Sequence, residues 1–108
     1  MSGPIRLLVL QWAADVEALR AVEDELTPLA RSHGAVVRRD RALPLGGYGT
    51  TNEPPDEVHA VDFPDEASFR AFLDDPAREP LRARLTDALE RTEVWRLDPM
   101  DDDTRREL

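Results

Sequence analysis

Val58-His-Ala-Val-Asp-Phe-Pro-Asp-Glu-Ala-Ser-Phe-Arg-Ala-Phe-Leu-Asp-Asp-Pro76 is the stretch that decides the fold. Val58, Val61 and Phe63 are β-branched or aromatic and suit a strand. Pro64 ends it, because proline has no backbone N–H to give a sheet ladder. Asp65 stands where a helix N-cap is needed. Phe69, Phe72 and Leu73 then recur at helical steps and share one face. Asp74-Asp75-Pro76 breaks that helix. Strand, proline turn, capped helix and second break thus follow one another within 19 residues, Val58 to Pro76.

Outward from this stretch the remaining elements fall into place. Ile5 to Trp12 is almost continuously apolar, as a central strand covered on both faces would be. Asp15 is a second candidate N-cap. Val16, Leu19, Val22, Leu26 and Leu29 form a helical stripe behind it, with Glu17, Arg20, Glu23, Asp24 and Arg31 on the other side. Pro28 within the stripe predicts a kink or a restart capped by Thr27. Gly34 is placed to end the helix, and His33 beside it suits a helix C-terminus as a cation. Ala35 to Leu43 reads as a charged edge strand. Pro44 to Pro55 is a loop with Gly46, Gly47 and Gly49 around Tyr48, long enough to suggest a functional role. Asp56 to Phe63 is the third strand. Leu81, Leu85, Ala88 and Leu89 mark a further helix after Pro80, and Thr92 to Leu97 a fourth strand.

This order, βαββαβ, predicts a ferredoxin-like α+β fold: one four-stranded antiparallel sheet of order 4-1-3-2, built from two split crossover units, with the helices on one face. The charged second strand becomes an edge and the apolar first strand becomes central. The first strand is apolar at both parities, Leu7 and Val9 on one side and Leu8 and Leu10 on the other. Its second face needs cover, and a second copy of the chain would supply it by packing sheet against sheet in a homodimer. Residues 1–99 form a single domain in this reading, followed by an acidic polar tail, 100–108.

Composition narrows the functions. Fourteen Lys+Arg against 23 Asp+Glu give a net charge of -9, which argues against nucleic acid and anionic membrane as partners. All 14 basic residues are arginine and there is no cysteine. No lysine Schiff base, thiolate nucleophile, disulfide framework or cysteine-rich zinc site is therefore available. Ile5 to Leu10 is too short for a membrane span or signal core, so a cytoplasmic location is expected. Gly46-Gly47-Tyr48-Gly49-Thr50-Thr51 lacks the lysine of a phosphate loop. No cofactor and no metal are expected, although His59 with a carboxylate would be chemically competent to hold an ion.

Val61-Asp-Phe-Pro-Asp-Glu-Ala-Ser-Phe-Arg-Ala-Phe-Leu-Asp-Asp-Pro76 resembles the strand-to-helix passage of the dimeric α+β barrel superfamily. It is similar to uncharacterised branches with an acidic-Phe-Pro turn, and to the antibiotic-biosynthesis monooxygenase and muconolactone isomerase groups. The close match runs from Val58 to Leu85, and the order of elements extends it from Ile5 to Leu97. The resemblance implies a homodimeric barrel. It leaves the reaction open, because the superfamily hosts oxygenation, isomerisation and cyclisation. The glycine loop at Pro44 to Pro55 departs from the pattern and puts transfer of any one group's substrate in doubt.

In the inferred sheet, one edge gathers Gln11, Trp12, Tyr48, His59 and Trp95. One functional reading is a small cofactor-independent enzyme acting on an aromatic or polyketide-like metabolite. His59 would be its acid or base, Tyr48 and Gln11 its oxyanion partners, and Trp12 and Trp95 its walls. Arg39 and Arg41 share one parity and could hold a carboxylate. The alternative is a non-catalytic dimeric binding or structural module. There His59 is a satisfied core histidine, the tryptophans are core or dimer contacts, and the arginines pair with surface acids.

Overall fold

A computed structural model describes residues 3–46 and 53–100. Seven elements follow in order: β1 (Ile5–Ala13), α1 (Val16–Ser32), β2 (Val36–Asp40), β3 (Glu57–Phe63), α2 (Glu66–Asp74), α3 (Arg78–Ala88) and β4 (Leu89–Arg96). All pairings are antiparallel, and the spatial order is β2-β3-β1-β4, as the sequence predicts. The fold is ferredoxin-like α+β.

The helix ends are set by the expected residues. Asp15 Oδ1 accepts from the Ala18 backbone N–H at 3.0 Å, and Asp65 Oδ1 accepts from Ser68 N–H at 2.7 Å. Each satisfies a donor that has no partner inside its own helix. Gly34 leaves α1 with φ +88, a conformation that glycine adopts with ease because it has no Cβ. His33 Nε2 bonds Asp75 Oδ2 at 2.8 Å and ties the end of α1 to the end of α2.

Three expectations are corrected. Pro28 does not restart a helix; α1 runs through it from Val16 to Ser32. Leu19, Val22 and Ala30 are buried on either side of it, and this packing holds the helix across the lost N–H bond. The edge strand is also shorter than Ala35 to Leu43, ending at Asp40, and β4 begins at Leu89 rather than Thr92.

Strand parity sorts the sheet into two faces. Ile5, Leu7, Val9 and Gln11 of β1, with Glu57, His59, Val61 and Phe63 of β3, face the helices. Ile5, Ala30, Ala35 and Phe63 are buried together there, and Phe69 and Phe72 of α2 tilt onto Phe63 at 5.2 and 5.4 Å between centroids. Arg6, Leu8, Leu10 and Trp12 alternate onto the other face, which carries no helix.

Candidate functional site

The helix face of the sheet holds a polar cluster where three elements meet. Register places Val9 and Arg39 on either side of His59, and Gln11 opposite Glu57. Glu23 reaches the cluster from α1, one turn beyond Leu19. Gln11, Glu23, Glu57 and His59 are all buried, at 4, 2, 6 and 7% exposure. Charged groups are rarely buried this deeply unless paired, and here they are. His59 Nε2 lies 2.9 Å from Glu57 Oε1 and 3.4 Å from Glu23 Oε2. The Arg39 guanidinium lies 3.3 Å from Glu23 and 3.6 Å from Glu57, and is anchored outside by Asp24 at 2.8 Å. Arg20 approaches Glu57 Oε2 at 3.6 Å from the rim.

This packing divides the protons. Burial raises the Glu23 carboxyl, the neighbouring Glu57 raises it further, and the bond to His59 only partly opposes them. Burial would raise Glu57 too, but its hydrogen bonds to Glu23 and His59 and the charge of Arg39 outweigh that and leave it lowered. Burial pulls His59 down, while hydrogen bonds and charge from Glu23 and Glu57 outweigh it and hold the imidazole above its usual value. The three groups thus diverge: Glu57 is shifted toward its anion, His59 toward its cation and Glu23 toward its protonated form.

Beside this cluster lies a cavity of about 280 Å³ between sheet and helices. Its walls are aliphatic and phenylalanine side chains, including Val9, Val61, Phe63 and Phe72. Gln11, Glu23 and His59 line one part, and Arg78 and Arg82 of α3 another. An apolar space with a few convergent polar groups is the usual form of a small-molecule site. The ligand atoms of Glu23, Glu57 and His59 all lie within 4.8 Å of one another, a spacing a divalent ion would accept. Arg39 already supplies positive charge to these carboxylates.

The expected site residues separate by parity. Gln11 and His59 come together and line the cavity. Trp12 and Trp95 lie on the helix-free face, so neither walls this cavity. Trp12 is covered there by the Arg91 guanidinium at 4.0 Å and donates Nε1–H to the Glu53 carbonyl at 3.1 Å. Trp95 is 57% exposed. Arg39 binds the carboxylates of the cluster rather than facing the cavity, and Arg41 is exposed beyond the end of β2, beside a shallow surface cleft with Arg20 and Arg39. Tyr48 and the acidic tail 101–108 lie outside the described residues.

Glu23 and Glu57 escaped the sequence reading, although the signals exist. Glu23 is four residues past Leu19 and one past Val22, on the edge of the apolar stripe. Glu57 has the parity of His59, Val61 and Phe63.

Comparison with solved structures supports the same architecture. A Rhodopseudomonas palustris protein of unknown function, RPA0582, matches with TM-score 0.80 and 23% identity over 94% of this chain and 85% of that one. A dimeric ferredoxin-like protein of unknown function from Jannaschia matches with TM-score 0.70 and 17% identity, over 90% of this chain and 100% of that one. SnoaB, a cofactor-independent oxygenase from Streptomyces nogalater, matches with TM-score 0.69 and 12% identity, over 93% and 96% of the two chains. The chain thus shares the ferredoxin-like fold of these solved proteins. No protein-family model and no curated protein matches it.

Proposed function

We propose that this protein is a small enzyme that moves protons on an aromatic or polyketide-like metabolite, without an organic cofactor, in the cavity between helices and sheet. The observation that carries the reading is the buried Glu23–His59–Glu57 cluster beside a mostly apolar cavity that Glu23 and His59 line. Glu23 and Glu57 shift His59 toward its cation against the effect of burial, so His59 is the group to donate to a substrate oxygen. Glu23 has a carboxyl raised by burial, and once ionised it is a stronger base than a solvated carboxylate. Transfer of a carbon-bound proton to Glu23, with the developing enolate accepting from His59, is the shared first step of isomerisation, cyclisation and direct oxygenation of such compounds. The solved cofactor-independent oxygenase of this fold supports the class without naming the reaction.

Phenylacetone tests it, since its benzylic C–H is acidic and its size suits the cavity. Deuterium exchange at that carbon, followed by NMR in heavy water, should be accelerated by the wild-type protein. Glu23→Gln and His59→Gln should each lose roughly 100-fold or more of that acceleration while remaining folded. Binding without acceleration would favour the non-catalytic module instead.

The same reading includes a homodimer. Leu8, Leu10 and Val58 are only partly covered on the helix-free face, Val36 and Trp95 are 72 and 57% exposed, and the Jannaschia protein of this fold is dimeric. Sheet-to-sheet packing of two copies would cover them.

A further inference from the structure

The wall of the cavity changes character along α3. This helix contributes Arg78, Arg82 and Leu85 to the lining, residues at i, i+4 and i+7 that share one helical face. A helix laid over a sheet ordinarily turns an apolar stripe toward it. Here the first two places of the stripe are arginines and only the third is leucine. Three lining residues, Leu73, Arg82 and Val94, are themselves exposed and mark where the cavity meets solvent. Glu23 and His59 also line it but are buried, so they belong to its inner part.

Neither arginine is well answered by an acid of the chain. Arg78 is half-buried and makes no ion pair with any described residue; its guanidinium rests 5.5 Å from the centroid of Phe72. Arg82 has a long contact of 3.9 Å to Glu79, between exposed side chains, where a pair is worth little. Other helical arginines have closer partners: Arg70 pairs with Glu66 at 3.0 Å, and Arg84 pairs with Glu25 across α1 and α3. Acids are plentiful in a chain with 23 Asp+Glu, so a scarcity of anions does not explain the bare guanidinium at the cavity wall. Two cations one turn apart on a helix also repel each other, and an anion placed between them would offset that repulsion.

We infer that the cavity takes a hydrophobic carboxylic acid, with its apolar body against the phenylalanine and aliphatic walls and its carboxylate at Arg78 and Arg82. This rests on the reading of the cavity as a ligand site and deepens it by naming the charge of the ligand and the residues that orient it. The carboxylate accepts from the guanidinium N–H groups in the forked geometry that arginine favours. Held at α3, it stays away from the carboxyl groups of Glu23 and Glu57, which would repel it. The other end of the ligand is then directed toward His59 and Glu23.

Calorimetry on the full chain tests this with three probes that share one body and differ in charge: phenylbutyrate, its neutral amide, and phenylbutylamine. Phenylbutyrate should bind about tenfold or more tighter than the amide, and the amine should bind most weakly. Arg78→Met, which keeps an apolar stem, should bring the acid down to the level of the amide. Arg70→Met removes the same charge from a residue that does not line the cavity, and should keep the preference for the acid. Thermal melts of both variants establish that they are folded. Equal binding of acid and amide, the amine as the tightest probe, or a preference that survives Arg78→Met overturns the inference while leaving an apolar ligand site in place. Binding by none of the three also overturns it, whereas the proton-transfer reading is judged separately by exchange of phenylacetone, a neutral ketone.

Discussion

The central residue is His59, and its charge is set by its neighbours. Glu57, Glu23, Arg39, Arg20 and Asp24 all bear on the cluster that contains it. Because its folded value is raised from 6.5, the stability it contributes is fully present below about pH 6.5 and is lost as pH rises through the folded value. Glu23 is raised from 4.5 and has the same sign from a lower starting point. Thermal melts of wild type and His59→Gln from pH 5 to pH 9 should therefore converge as pH rises; a gap that widens would contradict the upward shift of His59. Glu57→Gln should lower the His59 titration midpoint in an imidazole NMR titration, and an unchanged midpoint would mean that Glu57 does not hold the charge. His59 was legible in the sequence because it shares its parity with Val61 and Phe63 on that strand. Glu23 and Glu57 were not, because glutamates are ordinarily solvated, and their burial arises only where α1, β1 and β3 meet.

At the scale of elements, local chemistry fixes the ends and packing fixes the middles. Asp65 caps α2 beside the turn that identified the fold, so Asp65→Ala should cost about 1 kcal/mol, read from denaturant unfolding. Gly34→Ala should cost roughly 1–2 kcal/mol from the left-handed backbone alone. The added Cβ would also sit 3.1 Å from Pro64 Cγ, so the end of α1 and the turn after β3 would both feel it. A Gly34→Ala protein as stable as wild type would contradict that close approach. Element order and both N-caps were readable because they rest on residues with one strong local preference, aspartate and proline. The passage of α1 through Pro28 was not, since the proline's local cost is overridden by buried Leu19, Val22 and Ala30, which belong to the tertiary structure. The separation of Trp12 and Trp95 from His59 was hidden for a related reason. Position along a strand gives the sheet edge, whereas face follows only from the register that pairs Leu8 with Trp95 and Val9 with His59.

For the whole molecule, the sheet presents two unlike faces, and each has its own occupant in the proposed account: a small molecule on the helix side and a second copy on the other. Sedimentation should give about twice the 12.2 kDa chain mass, and Leu10→Glu, which places a charge on the helix-free face, should shift the protein toward monomer. A wild-type monomer at micromolar concentration would leave the exposed Val36 and Trp95 without the partner assigned to them. Methyl NMR distinguishes the faces directly, because adjacent residues of β1 report on opposite sides. On addition of phenylacetone, the methyl signals of Leu7, Val9 and Val61 are expected to shift together, with those of Leu8, Leu10 and Val58 little changed. Shifts confined to Leu8, Leu10 and Val58 would contradict the assignment of the cavity beside His59 as the ligand site.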